Sequence, residues 1–167
     1  MNVLVVDGYN IIGAWDELKG IDDLSLARDR LIDLLADYQA FTGQRVVIVY
    51  DAQYVSGPGS KQKNFKVETI YTKENETADE CIERIVTQYK NVSNQVYVAT
   101  SDYLEQRIIF GKGALRKSAR ELLIELKEIE RKIEEKVELH NKMKPQSIIS
   151  IDKDVMEVFE KWRRGDK

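Results

Sequence analysis

Three Val-rich runs, each closed or closely followed by an aspartate, constrain this chain most. Asn2-Val3-Leu4-Val5-Val6 ends on Asp7, and Val46-Val47-Ile48-Val49-Tyr50 ends on Asp51. Gln95-Val96-Tyr97-Val98-Ala99-Thr100 is followed by Ser101 and Asp102. Their near-continuous apolar character is that of strands buried on both faces of a parallel sheet. The strand ends of such a sheet face one crevice, where ligands bind. Carboxylates gathered there repel one another unless a cation or proton intervenes, so the first expectation is a hard-metal site.

Between the runs the pattern turns helical. Leu24, Ala27, Leu31, Leu34, Leu35 and Tyr38 recur at helical spacing, with Asp22 or Asp23 as N-cap and Gly43 as the stop. Ser56-Gly57-Pro58-Gly59-Ser60 reads as a loop and Phe65–Tyr71 as a strand. A helix opens at Thr77, with Glu80 as its capping-box partner. A short helical stretch is expected over Tyr103–Phe110. The longest helix is expected from Leu115, through Leu122, Leu126, Ile129, Ile133 and Val137, until Pro145 stops it. A last strand at Ser147–Ile151 and a helix at Val155–Trp162 close the pattern. This alternation implies a three-layer α/β/α sandwich with a mainly parallel central sheet, as one domain over residues 1–167.

No apolar stretch is long enough to span a bilayer, and the first residues lack a signal-type segment, so a cytoplasmic protein is expected. Cys81 is the only cysteine, which excludes an internal disulfide and any thiolate cluster; it reads as packing. Net charge is −3, which argues against a strongly basic nucleic-acid binder, but the charge is uneven. Residues 1–111 hold 11 Lys/Arg against 17 Asp/Glu, and residues 112–167 hold 15 against 12. An acidic centre beside a basic C-terminal third suits a metal-dependent enzyme acting on a polyanion. A salt-bridged helix with extra lysines would produce the same imbalance.

The first chemical motif is Asp7-Gly8-Tyr9-Asn10. Gly8 allows a sharp turn off the strand, Asp7 can hold a cation, and Asn10 can orient a phosphate or a water. The second is Glu74-Asn75-Glu76-Thr77-Ala78-Asp79-Glu80. Acids in a first helical turn complement the dipole, yet Asp79 at the second helical position would look towards the strand ends. The third is Thr100-Ser101-Asp102, where Asp102 either caps the short helix or joins the acidic edge. His140 is the only histidine, so a histidine acid–base pair is excluded. A divalent metal can activate water and screen a phosphate without one, and Mg²⁺ or Mn²⁺ fits all-oxygen ligands of this kind.

Val6-Asp7-Gly8-Tyr9-Asn10, Glu76-Thr77-Ala78-Asp79, Ala99-Thr100-Ser101-Asp102 and the segment Gly113 to Leu122 together resemble the NYN-domain family of PIN-like nucleases. More narrowly, they resemble its bacterial YacP-like group, over essentially the full length. The resemblance implies a PIN-like fold and a divalent-metal RNA endonuclease, with cleavage of mRNA on the translating ribosome. Position by position it implies Asp7, Asp79 and Asp102 as the acidic core, with Asn10 beside them and Asp51 nearby. One position departs: many members carry an acid where this chain has Leu104, with Glu105 adjacent. That leaves a fourth carboxylate, and firm binding of a second metal, without an assigned residue.

Lys112, Arg116, Lys117 and Arg120 are expected to contact RNA phosphates from the start of the long helix, with Arg116 and Arg120 on one face. Lys61, Lys63, Lys66 and Lys73, together with Lys161, Arg163 and Arg164, can extend that track or be ordinary solvated charge. Tyr9 and Trp15 can stack on a base or pack. The reading is a metal-dependent endoribonuclease acting on RNA, with the ribosome as a partner and neither membrane nor DNA expected. Two alternatives are a non-catalytic RNA- or ribosome-binding module with a degenerate site, and a receiver-like signalling domain. The absence of an acidic pair beside Asp7 counts against the latter.

Overall fold

The computed structural model describes all residues except 53–60, 64–66, 92, 103–105, 108, 110 and 166–167. The chain divides into two units, Met1–Ile129 and Glu130–Lys167. In the first, β1 (Asn2–Asp7), β2 (Arg45–Tyr50), β3 (Lys61–Lys63), β4 (Glu68–Tyr71), β5 (Gln95–Ala99) and β6 (Leu115–Lys117) form one sheet. Its order is β3-β4-β2-β1-β5-β6. Five strands run parallel, and β3 is antiparallel to β4 at one edge. The helices are α1 (Gly8–Ala14), α2 (Asp16–Lys19), α3 (Leu24–Thr42), α4 (Ala78–Tyr89) and α5 (Ala119–Arg164).

The three Val-rich runs became the three central strands, as double-sided burial requires. Val3, Val5, Val47, Val49, Val96 and Val98 pack on Cys81, Ile82, Ile85 and Val86 of α4. Strand alternation sends Leu4, Val6, Ile48 and Tyr50 to the other face, where they are buried with Ile11 of α1 and Leu31 and Leu35 of α3. The helix starts follow their caps. The Asp23 side chain accepts from the Ser25 amide at 2.8 Å, and Thr77 Oγ1 accepts from the Glu80 amide at 3.2 Å. Gly43, at φ 72°, ends α3 in the left-handed region.

Two expectations about the C-terminal third are corrected. Leu115–Lys117 is strand β6 paired with β5, and the helix begins only at Ala119. Leu115 falls at a helical step from Leu122, but a three-residue edge strand carries too few positions for its own period to compete. The helix then continues to Arg164, so Pro145 does not end it and Ser147–Ile151 is not a strand. Pro145 removes one backbone donor, whereas an isolated strand would have to find a partner for its whole row of amides and carbonyls. The expected Tyr103–Phe110 helix, Leu104, Glu105, Lys66 and the Ser56–Ser60 loop lie wholly or partly outside the described residues.

The second unit is the helical remainder of α5. Arg131 pairs with Glu135 one turn on, while Val137, Leu139 and Met143 are exposed. Lys161, Arg163 and Arg164 sit in the last turn, where cations complement the helix dipole. His140 is exposed on this unit.

Candidate functional site

Because β2 and β5 flank β1, their carboxyl ends bring Asp7, Asp51 and Asp102 to one edge of the sheet from three adjacent strands. Register refines the placement. Asp7 lies opposite Val49, so Asp51 projects two residues further, and Val6 lies opposite Ala99, three residues before Asp102. All three aspartates are half-buried, as is Asp79 in the first turn of α4. Ala78, next to Asp79, lines the same cleft as Asp7, Asn10 and Asp51.

Local bonding fixes each of these positions. Asp7 is the N-cap of α1, its Oδ1 facing the Asn10 amide at 3.5 Å. Asn10 Oδ1 accepts from both the Ser101 amide, at 2.7 Å, and the Ser101 hydroxyl, at 2.9 Å. Thr100 Oγ1 accepts from the Asp102 amide at 3.1 Å. Asp51 is framed by buried Thr72, which donates its amide to Tyr50 O and accepts the Ala52 amide at Oγ1. Gly8 departs from its expected role as a flexible turn. It is the buried first residue of α1, and a Cβ there would lie 2.2 Å from Tyr50 Cε1.

Tyr9 is held from two sides. Arg28 Nη1 donates to its hydroxyl at 2.9 Å, and its ring meets that of Tyr50 at 5.0 Å between centroids. Burial raises its pKa despite the guanidinium, and Asp51 raises it further. Burial likewise pushes up the Tyr50 hydroxyl. Trp15 is 2% exposed and donates its indole N–H to Ala119 O at 2.8 Å, so it packs and is not available for stacking.

The four aspartates do not close into a cage. Among the described residues, no group of three or more His, Cys, Asp or Glu is placed to hold a metal ion. In kind, the oxygen donors suit a hard cation. In number, they suit one that keeps several waters and takes one or two carboxylates plus a substrate phosphate, which is the habit of Mg²⁺.

The four cations expected to act together are separated. A strand sends successive side chains to opposite faces, so Arg116 is exposed while Lys117 is turned inward. Lys117 Nζ donates to Glu125 at 2.9 Å and to the Tyr38 hydroxyl at 3.2 Å, and lies over the Tyr97 ring. Burial opposes its charge, but those two hydrogen bonds prevail and its pKa is raised. Lys117 is therefore a structural cation, a correction to its expected place on RNA. Lys112 precedes β6, at the opposite end of the strand from Ser118. It pairs with Glu83 at 3.3 Å, and its carbonyl accepts from Lys90, just past the end of α4. Arg120 alone of the four stands in the first turn of α5, which Ser118 Oγ caps by accepting the Glu121 amide. Lys61 and Lys63 lie in the antiparallel edge strand β3.

The sequence points to a crevice at the strand ends but not to the helical walls that close the cleft found there. The cleft has a volume of ≈ 530 Å³, and beyond Asp7, Asn10, Asp51 and Ala78 its walls come from α1, α2, Ile21 and the start of α3. Those short elements carry no periodic signal, and the bond between Arg28 and Tyr9 spans 19 residues.

Residues 4–164 match the family described as YacP-like NYN domain. The chain is 54% identical over 168 residues to the uncharacterized protein YacP of Bacillus subtilis (strain 168), covering 99% of each. It is similar to the crystal structure of Rae1 (YacP) from the same organism, with TM-score 0.79, 54% identity and coverage of 99% of this chain and 97% of that one. A crystal structure of a mutant of Rae1 (YacP) matches with TM-score 0.78.

Proposed function

The chain belongs to the YacP-like NYN domain family, a nuclease family, and from that premise we propose that it is a metal-dependent endoribonuclease that cuts mRNA presented by the translating ribosome. The observation that carries this reading is the delivery of Asp7, Asp51 and Asp102 to one sheet edge by three adjacent strands, with Asp79 in the first turn of α4 next to the cleft-lining Ala78. NYN and PIN-like nucleases generally use divalent metals. A bound Mg²⁺ or Mn²⁺ would supply screening of the phosphodiester charge and activation of a water nucleophile.

The chain's own residues do the rest. Asp7, Asp79 and Asp102 would offer a divalent cation one or two carboxylates at a time, the remaining carboxylate would take the proton that the attacking water loses, and Asp51 would support them from β2. Asn10 is a positioning residue, because its carbonyl oxygen is spent on Ser101. Arg120 and Arg116 hold flanking phosphates, which positions RNA without reading its sequence. Cleavage leaves a 5′-phosphate and a 3′-hydroxyl. No helix among the described residues is long and apolar enough to cross a membrane, and the cytoplasm is the proposed compartment.

The deciding experiment compares a translated message with the same naked message, with and without Mg²⁺, using wild type and Asp7→Asn. Metal-dependent cuts in the translated message, lost in Asp7→Asn, are expected. The aspartates' failure to form a three-ligand group favours a second reading, a non-catalytic RNA- or ribosome-binding module. Ribosome binding without cleavage under any metal condition would establish it.

A further inference from the structure

We propose that the cleft beside the acidic edge is a nucleoside pocket, which takes the base and ribose next to the bond to be cut. This rests on the ribonuclease reading above. The lining has two halves by chemistry, apolar Ile12, Leu18, Ile21 and Leu24 with Tyr9, and polar Asp7, Asp51 and Asn10. Without a cation a phosphodiester is disfavoured among these residues, because it would meet two carboxylates and apolar walls, so the scissile phosphate belongs where the metal would sit and not in the body of the cleft. The uncharged part of a nucleotide fits both halves. Its flat base matches aliphatic and aromatic surface, and its ribose hydroxyls and N–H edges match carboxylate acceptors. Lys19, the cation among the lining residues, suits the neighbouring phosphate. The ≈ 530 Å³ volume falls within the range of about 300–1,000 Å³ usual for small-molecule sites.

Two features show that the space is built. Tyr9 is clamped by Arg28 and by the Tyr50 ring, so it presents a fixed aromatic wall. Gly13 lies in α1, where glycine weakens a helix relative to alanine. Neither usual reason for a glycine applies, since its φ is not positive and a Cβ built on it meets no atom within 4 Å. Its absent side chain leaves the cleft open.

The probes are the four ribonucleoside 5′-monophosphates at millimolar concentration, and a single-stranded RNA oligonucleotide with or without one abasic residue. The nucleotides should shift the NMR methyl signals of Ile12, Leu18, Ile21 and Leu24 in wild type and leave them still in Gly13→Leu, which should fold at least as stably. Tyr9→Ala, the second variant, should bind the intact oligonucleotide roughly ten-fold more weakly, and the abasic one no differently from wild type. Silent methyls in wild type, or equal nucleotide binding by Gly13→Leu, would overturn the pocket whether or not RNA is cut. Conversely, nucleotide-dependent shifts in a protein that cleaves no RNA under any condition would keep the pocket and remove the ribonuclease reading. Loss of ribosome binding in Gly13→Leu, with no nucleotide binding in wild type, would give the cleft to a ribosomal segment and overturn the proposal.

Discussion

Asn10 Oδ1 takes both hydrogen bonds that Ser101 can give, one from its backbone amide and one from its hydroxyl, and so ties the first turn of α1 to the end of β5. The two residues lie 91 positions apart in the chain, yet this contact sets the spacing between Asp7 and Asp102. Asn10→Ala removes both bonds and should cost about 1–3 kcal/mol. Ser101→Ala keeps the amide bond and should cost less than half as much. Urea denaturation of the two variants checks the order, and cleavage should fall further in Asn10→Ala than in Ser101→Ala.

Asp7→Asn, Asp79→Asn and Asp102→Asn should each abolish cleavage and leave the fold intact. Asparagine caps a helix about as well as aspartate, so Asp7→Asn retains the α1 cap. Removing one of several neighbouring like charges also relieves repulsion. Melting temperatures at or slightly above wild type are expected, with products absent from a gel assay. Full activity in any two of the three would remove the proposed site.

Arg116 and Lys117 are adjacent in sequence and should behave oppositely. Arg116→Ala and Arg120→Ala should each flatten the salt dependence of RNA or ribosome binding, because fewer counterions are released. Lys117→Ala should leave that slope alone and instead destabilise the fold by about 1–3 kcal/mol, by breaking a hydrogen-bonded group shared with Tyr38 and Glu125. Salt titrations and denaturation curves on the same three proteins separate the two roles.

Gly8→Ala should destabilise by roughly 1–3 kcal/mol or more, since its new Cβ would overlap the Tyr50 ring. Tyr50→Phe should be neutral or stabilising, because the buried Tyr50 hydroxyl has no hydrogen-bond partner among the described residues. Replacing Tyr50 by Leu should recover part of the Gly8→Ala loss, which a double-mutant cycle would read directly.

The Glu76 carboxyl gives a pH-dependent test. Burial alone would raise its pKa, but hydrogen bonds from Arg84, at 2.8 Å, and from Cys81 outweigh it, and the pKa is lowered. A depressed carboxylate stabilises the fold above its unfolded value of about 4.3, and that contribution is lost as pH falls through the lower folded value. Glu76→Gln should therefore flatten the acid limb of the stability curve below about pH 4. The partner Cys81 thiol is pushed up to about 12 by burial and by Glu76. It should resist alkylation at pH 8 until the protein unfolds.

The sheet centre is legible because Val3–Val6 and Val46–Val49 are buried on both faces, with Val96, Val98 and Ala99 buried around a half-buried Tyr97, and such burial writes itself into composition. Thr77 and Asp23 were legible because capping is a local bond within three residues. What could not be read depends on distant partners. Lys117 looks like any helix-surface cation until Tyr38, 79 residues away, and Glu125 are placed around it. Trp15 reads equally as a stacking or a packing residue until Ala119 supplies its acceptor. Gly8 is constrained by a ring on the neighbouring strand and not by its own dihedral angles, which no local pattern reveals.

The strand order has a consequence for how the molecule is made. β1 is made before the other strands of its sheet, but one of its two neighbours, β5, is completed only at Ala99. A nascent chain that has left the ribosome only as far as α4 holds Asp7, Asp51 and Asp79, yet it lacks the strand that carries Asp102 into place. The acidic edge therefore cannot assemble until β5 and Asp102 have been made, and a chain abandoned earlier carries only part of that edge.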